Sequence, residues 1–397
     1  MTTTHDLRVA VDVRCLDTPK LRGFARYTSE LLKGLTHLGG VDVVAVSDRP
    51  MTLRVEEEHV QVHAPDGGRE WRREQVALPR LVADLEADVL LSPANRGLPL
   101  VGVPSVLVLH DAVEWNRRLV ARPSGRDRIR FGYSNVASLL GATRIITVSN
   151  HSAEQLHSRL GLRRDRITVV PEAAGGRFVP GVSAEMRAAA RQKIGIEDPF
   201  VLYCGGFDPK KSVDTLVIAW ALLGEGAPSL VLAGAVGTSQ AEHLRALAAG
   251  LGADTERLHL PGYVDDDQLP ALMAEADMFV FPGTAEGWGL PAVEAMAVGT
   301  ATVVADSGAL PQSTHNLAVR FAAGDAAGLA GALGRLLGDE ALRRHLGRQG
   351  SAAQLQRSWL DVAQDTLVVL REAASVGAVE RLGAAAAQLP RAYRWVV

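Results

Sequence analysis

The stretch ADMFVFPGTAEGWGLPAVEAMAVGTATVVAD, residues 276–306, decides the fold because it has the pattern of a strand, a loop, a helix and a second strand. The apolar run Met278–Phe281 is typical of a buried parallel strand. Pro291 suits the start of a helix, where its missing N–H is not needed, and Gly299 suits the residue that closes one. Residues 300–304, TATVV, form a second β-branched run. Such a βαβ unit predicts a parallel sheet with the connecting loop at its carboxyl edge, where open α/β sheets bind ligands.

Two carboxylates mark this stretch. Glu286 lies in the predicted loop and Glu294 in the first turn of the predicted helix. The free N–H groups of a helix N-terminus suit a phosphate, and an ionised carboxylate makes strong hydrogen bonds with sugar hydroxyls. Considered apart from the string around them, the two residues could equally be a helix-dipole partner and a solvated loop residue.

The string EGWGLPAVEAMAVGT, residues 286–300, resembles the signature of retaining glycosyltransferases of family 4. The family pattern is Glu-Gly-Phe-Gly-Leu-Pro followed by Glu-Ala-Met-Ala-x-Gly, and Trp288 stands where Phe is common. A match over many consecutive positions is more specific than a single glycine-rich loop. The resemblance implies a GT-B fold, an α/β architecture of two Rossmann-like domains facing across a cleft, and a nucleotide-sugar donor. It implies that Glu294 holds the donor ribose and that Glu286 lies by the transferred sugar. The donor-binding residues in this stretch would be Glu286, Gly287, Gly289, Leu290 and Glu294.

Composition agrees with a globular enzyme of several domains. A length of 397 residues predicts roughly two to three domains at about 150 residues each. The net charge of −3 argues against a general nucleic-acid binder, and two distant cysteines suggest neither a disulfide framework nor a zinc site. We find no signal-peptide pattern at the start and no apolar run approaching the ~18 residues of a membrane span. We therefore expect a cytoplasmic protein, with peripheral attachment to the inner membrane face left open.

The alternation of strands and helices restarts near residue 200, after a segment rich in Pro and Gly at residues 171–183. Such alternation predicts parallel sheets, and such a segment is a natural linker. We predict an N-terminal Rossmann-like acceptor-binding domain at residues 1–178 and a C-terminal Rossmann-like donor domain at residues 179–374. Residues 375–397 would form a tail or helix that either recrosses to the N-terminal domain or acts as an interaction tail.

A glycine-containing loop follows the first predicted strand, residues 7–13. Gly23, Phe24 and Ala25 resemble the Gly-Ile-Gly-Arg-Tyr-Thr loop of the family, with Ala25 in place of the second glycine. In the family this loop approaches the donor diphosphate through its backbone, which makes Gly23 a candidate donor-binding residue. A plain βα turn is the alternative.

His110 and Asp111 follow another predicted strand, PSVLVL. A strand-end His at the mouth of a parallel sheet is well placed to meet a ligand, although a lone His is more often structural. The pair resembles the strand-end His-Asp of the family. The resemblance implies that His110 orients a hydroxyl of the donor sugar rather than acting as a general base, and that its backbone carbonyl lies close to the reacting carbon.

The loop FDPKKSVDTL opens the second half and resembles the phosphate loop of the family. Gly206 stands where one variant of that loop has Arg, Lys210 replaces an Arg of another variant, and Lys211 matches the constant Lys. Cationic groups beside the leaving diphosphate would stabilise the charge that develops as the glycosidic bond breaks, although either lysine alone could be a solvated residue. The candidate catalytic residues are His110, Glu286 and Lys211.

Two further segments bear on partners. The basic segment at residues 117–130 is either a solvated face or a patch for a phosphate-bearing acceptor or an anionic lipid surface; its arginines are Arg117, Arg118, Arg122, Arg126, Arg128 and Arg130. The acidic run at residues 265–267 precedes a predicted helix and is expected to cap it rather than to hold a metal. We predict no metal site and no cofactor.

The predicted function is transfer of a sugar from a UDP- or GDP-linked donor to an acceptor hydroxyl, with retention of configuration. The pathway would be bacterial glycan, glycolipid or natural-product biosynthesis. Three alternatives stay open: a nucleotide-sugar epimerase of GT-B fold, a glycan phosphorylase, and a non-catalytic nucleotide-sugar binding protein. The phosphorylase is disfavoured because no segment suggests a lysine that anchors pyridoxal phosphate.

Overall fold

The computed structural model describes residues 6–18, 23–55, 58–65, 72–98, 101–112 and 136–388. The chain divides into two compact units, Met1–Glu172 with Trp359–Val397, and Ala173–Ser358. Each unit is built on a parallel sheet flanked by helices.

The first unit contains a seven-stranded sheet in the order β5-β2-β1-β6-β7-β8-β9, in which every recorded pairing is parallel. Its strands are β1 (Leu7–Asp12), β2 (Val41–Val46), β5 (Val62–His63), β6 (Val89–Ser92), β7 (Ser105–Val108), β8 (Arg144–Thr147) and β9 (Ile167–Val169). A separate antiparallel pair joins β3 (Leu53–Val55) to β4 (Glu58–Val60). The helices of this part of the chain are α1 (Phe24–Thr36), α2 (Leu78–Asp84), which continues a π-helical turn at Arg73–Ala77, and α3 (Asn150–Leu160).

The second unit contains a six-stranded parallel sheet in the order β12-β11-β10-β13-β14-β15. Its strands are β10 (Phe200–Cys204), β11 (Ser229–Ala233), β12 (Leu258–Gly262), β13 (Met278–Phe281), β14 (Thr302–Ala305) and β15 (Val319–Phe321). Its helices are α4 (Ala184–Lys193), α5 (Val213–Ala221), α6 (Thr238–Gly250), α7 (Leu269–Glu275), α8 (Leu290–Ala297), α9 (Leu310–Ser313), α10 (Ala326–Leu337) and α11 (Glu340–Gln354). The strand β13 and the helix-closing Gly299, at φ 96°, lie where the sequence predicts them.

The last two helices, α12 (Trp359–Ala374) and α13 (Ala378–Gln388), belong to the first unit. Helix α12 lies so close to α1 that a Cβ on Gly34 would stand 2.7 Å from the Cβ of Ala363 and 2.8 Å from the carbonyl oxygen of Trp359. The Trp359 ring also packs edge-on against Tyr27 at 5.4 Å. The division therefore differs from the predicted one, which placed residues 359–374 in the second half, because this helix buries its apolar face against α1.

Both sheets have a point where the strand order reverses. In the first unit the chain winds outward from β1 to β2 and then resumes on the other side of β1 with β6. In the second unit it winds from β10 to β11 and β12 and resumes with β13. The loops that follow the two strands beside such a point form a crevice, which is where open α/β sheets bind ligands. In the second unit these loops are residues 205–212 and 282–289.

Candidate functional site

The reversal in the second sheet brings two predicted site residues into contact. The ammonium of Lys211, after β10, donates a hydrogen bond to Oε1 of Glu286, after β13, at 2.7 Å. The Lys211 ammonium also lies 5.3 Å from the centre of the Phe281 ring, a cation–π distance. The two side chains are 18% and 10% exposed, so the ion pair is largely shielded yet reaches solvent. Residues 75 positions apart thus meet at the crevice.

The backbone holds these two loops together. Residues Pro209–Lys211 form a 3₁₀ turn, and the carbonyl of Lys210 accepts hydrogen bonds from the backbone N–H and the hydroxyl of Thr284, at 2.8 Å and 3.2 Å. Lys210 thus fixes the distance between the loops through its backbone, while its half-buried side chain has no recorded ion pair among the described residues. A cationic role for the Lys210 side chain stays a prediction.

Gly206 lies in a stretch where backbone segments approach closely. Its carbonyl accepts a hydrogen bond from the hydroxyl of Tyr203. A Cβ on the preceding Gly205 would stand 2.6 Å from that hydroxyl, and a Cβ on Gly234 would stand 2.0 Å from the carbonyl oxygen of Gly205. Burial, and then the charge of Glu286, raise the pKa of Tyr203, so its hydroxyl stays protonated and remains a donor.

The loop before α8 is folded tightly around Glu286. The carbonyl of Glu286 accepts a hydrogen bond from the N–H of Ala309 at 3.1 Å. A Cβ on Gly308, at φ +60°, would stand 2.7 Å from that carbonyl oxygen, and a Cβ on Gly283 would stand 2.5 Å from Oε1 of Glu286. Small residues on both sides therefore define the position of this carboxylate.

Helix α8 begins after Gly289, whose φ of 96° favours glycine. A Cβ there would also stand 2.5 Å from Cδ2 of Leu310. The neighbouring Gly287 is buried, and Leu290 is half-buried at the first helical position.

Glu294 is completely buried, at 0% exposed. It is the fifth residue of a helix that begins at Leu290, so the prediction that it lies in the first turn was wrong by a fraction of a turn. Its Oε1 lies 3.9 Å from the point where a Cβ on Gly175 would stand. The predicted role of Glu294 in holding the donor ribose stays a prediction.

Trp288, between the two glycines, is 7% exposed. Its indole N–H has no hydrogen-bond partner within the described ranges. Trp288 is therefore held by the packing of its ring and not by a hydrogen bond of its indole N–H to a described residue.

His110 lies just beyond the carboxyl end of β7 in the first unit and is buried, at 7% exposed. Its Nδ1 lies 3.0 Å from Oε1 of Glu172, and its Nε2 lies 2.9 Å from the carbonyl oxygen of Pro93. Its backbone N–H donates to Oδ1 of Asn95 at 2.7 Å, and its carbonyl accepts from the hydroxyl of Ser152 at 2.9 Å. Both ring nitrogens thus have partners within the first unit. The contact with a sugar hydroxyl stays a prediction.

Burial lowers the pKa of His110, but the hydrogen bond and the charge of Glu172 outweigh it, so the pKa is raised above its ordinary value. The rings of Phe24 and Tyr27 pack against the imidazole, with centroids 4.9 Å and 4.5 Å away.

Gly23 precedes α1 with φ 43° and ψ −111°, and its carbonyl accepts the backbone N–H of Tyr27 at 3.0 Å. Among the described residues, no atom outside its chain neighbours lies within 4 Å of the point where its Cβ would stand. The role of Gly23 in donor binding stays a prediction.

Sequence reasoning missed a buried ionic cluster beside the reversal point of the first sheet. Arg14 donates to Asp12 at 2.6 Å and to Glu74 at 2.6 Å, and Arg96 pairs with Glu74 at 2.6 Å. Burial lowers the pKa of Arg14, but the charge of Asp12 outweighs it and the pKa is raised. Polar residues at the carboxyl ends of β1 and β6 were the available signal, because strand ends meet at one edge of a parallel sheet.

The basic segment at residues 117–130 lies outside the residues that the structure describes, so its predicted role stays a prediction. Among the described residues, no group of three or more His, Cys, Asp or Glu side chains could hold a metal ion. In the same part of the chain, no helix is both long and apolar enough to cross a bilayer.

The fold and the site define an α/β protein with two Rossmann-like units and a charged crevice at the sheet reversal. Two family models match it, Glycosyltransferase Family 4 at residues 21–173 and Glycosyl transferases group 1 at residues 186–353. Together they cover most of the chain, and the chain belongs to the GT-B glycosyltransferases that carry these two domains. The family predicted from the sequence is confirmed.

Two curated relatives are glycosyltransferases by name. The serotype-specific mannosyltransferase WbdA of Escherichia coli is 26% identical over 318 residues, which is 77% of this chain and 38% of that protein. The D-inositol 3-phosphate glycosyltransferase of Nocardia farcinica is 34% identical over 238 residues, which is 57% of this chain and 52% of that protein. The aligned part of the chain thus spans about half or less of each of these relatives.

A solved structure confirms the predicted fold. The crystal structure of Anabaena Alr3699/HepE in complex with UDP-glucose matches 92% of this chain and 100% of that chain, with a TM-score of 0.71 and 17% identity. At that identity the likeness establishes the GT-B fold alone.

Proposed function

We propose that the protein is an enzyme that transfers a sugar from a nucleoside-diphosphate sugar to a hydroxyl of an acceptor, with retention of anomeric configuration. The Lys211–Glu286 ion pair carries this proposal. It joins a cation suited to a diphosphate and a carboxylate suited to sugar hydroxyls within 2.7 Å, at the reversal point where ligands bind in such sheets. Family membership makes glycosyl transfer the expected reaction.

In this proposal the Lys211 ammonium moves from Glu286 to the diphosphate, where it stabilises the negative charge that develops on the leaving group. Glu286 is then free to accept hydrogen bonds from the transferred sugar. The buried carboxylate of Glu294 would accept hydrogen bonds from the ribose hydroxyls. The backbone N–H groups of Gly287, Gly289 and Leu290 would contribute donors near the start of α8.

The proposed reaction needs no covalent intermediate with the enzyme. The bond between the anomeric carbon and the diphosphate oxygen breaks, and the bond to the acceptor oxygen forms on the same face. The departing phosphate takes the acceptor's proton. The protein supplies positioning and charge stabilisation, and we propose that no metal takes part.

The donor base is proposed to be uracil or guanine. The HepE protein, whose fold this chain shares, was solved with UDP-glucose, and the WbdA relative is named a mannosyltransferase. We propose acceptors among glycans, lipid-linked sugars and small molecules.

The test is a transfer assay with UDP- and GDP-linked hexoses against panels of these three acceptor classes. The readouts are release of the nucleoside diphosphate and the anomeric configuration of the product by NMR. We expect acceptor-dependent release with retention, and loss of it in Glu294→Gln. Epimerised donor in the absence of acceptor would replace the proposal with an epimerase, and binding without turnover would replace it with a binding protein.

A further inference from the structure

The imidazole of His110 lies between two hydrogen-bond acceptors. Oε1 of Glu172 is 3.0 Å from Nδ1, and the carbonyl oxygen of Pro93 is 2.9 Å from Nε2. Neither partner has a proton to give when Glu172 is ionised, since a proline carbonyl can only accept. Both hydrogen bonds therefore require an N–H on the ring, and a ring with two N–H groups is an imidazolium.

A neutral ring would break this arrangement. With its single proton on Nδ1, the lone pair of Nε2 would point at the Pro93 oxygen at 2.9 Å. With its proton on Nε2, the lone pair of Nδ1 would point at the Glu172 carboxylate. With Glu172 ionised, either tautomer places two acceptors against each other in a buried site, where an unsatisfied polar group costs about 1–3 kcal/mol.

The ring cannot easily turn away from these partners. The backbone on both sides of it is fixed by Asn95, which accepts the His110 N–H at 2.7 Å, and by Ser152, which donates to the His110 carbonyl at 2.9 Å. The Phe24 and Tyr27 rings cover the imidazole. The Glu172 and His110 side chains are 4% and 9% exposed, so water offers little alternative to these bonds.

We propose that Glu172 is a positioning residue that holds His110 as a doubly protonated imidazolium in a fixed orientation, so that His110 contributes a fixed positive charge to transfer and does not act as a base. The role in transfer rests on the proposed function, whereas the protonation state rests on the geometry together with an ionised Glu172. Within the described ranges, the charged groups that act on His110 are the carboxylates of Glu172 and Asp111, and both favour the cation.

The direct test is NMR of the full chain with ¹⁵N-labelled histidine, since ring ¹⁵N shifts distinguish an imidazolium from either neutral tautomer. His110→Asn assigns the signal among the 11 histidines. In the wild type we expect two protonated ring nitrogens at neutral pH and a titration midpoint above that of an ordinary histidine, at about pH 6.5. In Glu172→Gln the midpoint should fall, because the amide carries no charge. Glu154→Gln, which removes an exposed carboxylate of the same unit, should leave it unchanged.

The functional readout is the pH profile of kcat. We expect the alkaline limb of Glu172→Gln to lie at lower pH than that of the wild type. On that limb kcat should fall about tenfold for each pH unit by which the titration midpoint is lowered, and the loss should be smaller on the acidic side. Glu172→Asp, which restores the charge, should move the alkaline limb of the kcat profile part of the way back toward that of the wild type.

A neutral His110 ring in the wild type at neutral pH would overturn the proposal, and so would a midpoint that Glu172→Gln leaves in place. If Glu172→Gln fails to fold, the wild-type spectrum still decides. If His110 is an imidazolium but the protein has no transfer activity, the proposal for the His110–Glu172 pair stands and the proposed function is contradicted. Failure of this proposal and failure of the proposed function can therefore be told apart.

Discussion

The His110–Glu172 pair of the first unit and the Lys211–Glu286 pair of the second lie at equivalent places, beyond the carboxyl ends of parallel strands. They differ in what surrounds them. His110 has protein partners at both ring nitrogens and at its backbone N–H and carbonyl. Lys211 and Glu286 lie on glycine-containing loops and retain 18% and 10% exposure. The same architecture thus produces one pair that is fixed and one that, in the proposed function, a ligand separates.

The difference follows from the elements that carry each pair. Glu172 comes three residues after β9 and reaches His110 beyond β7. The second pair instead depends on two loops joined through the Lys210 carbonyl and Thr284. A buried ion pair that loses one partner leaves an uncompensated charge, whereas a pair near solvent can exchange its partner for a ligand at little cost. We therefore expect mutations in the first pair to affect stability most and those in the second to affect transfer most.

The largest expected effect is on stability in the first pair. His110→Ala leaves the Glu172 carboxylate buried without its cation, and we expect the free energy of unfolding to fall by about 3–5 kcal/mol. Denaturant unfolding measures this. The matched control is His243→Ala, since His243 makes a similar 2.9 Å pair with Asp214 but both side chains are about half exposed; its cost should be at most about 1 kcal/mol. Equal costs would show that burial does not separate the two kinds of pair.

The next effect is on transfer in the second pair. Lys211→Met removes the cation while keeping a long side chain, and we expect kcat to fall by about 10²–10³-fold, as for loss of one stabilising group at a developing charge. Its unfolding free energy should fall by less than that of His110→Ala, because the carboxylate left without a cation is more exposed, 10% for Glu286 against 4% for Glu172. Lys193→Met, which breaks an exposed 2.9 Å pair with Asp265, is the control and should leave kcat unchanged. Full activity in Lys211→Met would remove Lys211 from the site.

A smaller contrast concerns the glycine before each helix. Gly289→Ala forces an alanine to φ 96° and places its Cβ 2.5 Å from Leu310, so we expect a loss of about 1–3 kcal/mol. Gly23→Ala meets no atom of the described residues within 4 Å, so it adds no such steric contact to the strain of its backbone at φ 43° and ψ −111°, about 1–3 kcal/mol. Thermal unfolding of the two variants gives the order, and a larger loss for Gly23→Ala would contradict the packing around α8.

The smallest expected effect is the pH dependence of stability. The pKa of His110 is raised in the folded chain, so its contribution is fully present below the pKa of unfolded histidine and is lost as the pH rises through the folded value. The unfolding free energy of the wild type should therefore decline as the pH rises from the ordinary histidine pKa, about 6.5, through the raised folded pKa. Glu172→Gln should show a weaker decline, and parallel profiles for the two proteins would contradict the pairing.

Local patterns in the sequence predicted the elements that carry the second pair. The strand at Met278–Phe281 and the role of Gly299 follow from an apolar run and a helix stop, which are short-range signals. Contact between Lys211 and Glu286 does not follow from local pattern, because it depends on which strand pairs with β10. Only the family resemblance predicted that both residues lie beside the donor, and this stays a prediction.

The first unit was less predictable for the same reason. Glu172 follows a predicted strand but lies in a segment rich in Pro and Gly that is typical of a linker, so its burial against His110 was missed. The amphipathic pattern of α12 predicts a buried face without saying which sheet covers it. Its assignment to the first unit depends on the close approach at Gly34.

The central claim is that the second pair belongs to a nucleotide-sugar site, and nucleotide binding tests it most directly. We would measure thermal unfolding of the wild type and Glu294→Gln with UDP, GDP, ADP and dTDP, each with and without EDTA. We predict that UDP or GDP raises the unfolding midpoint of the wild type by the same amount with and without EDTA. At a hundredfold excess over the dissociation constant, the stabilisation is about 2.7 kcal/mol. Glu294→Gln should lose this shift. No shift from any of the four nucleotides, or an equal shift in the variant, would contradict the account.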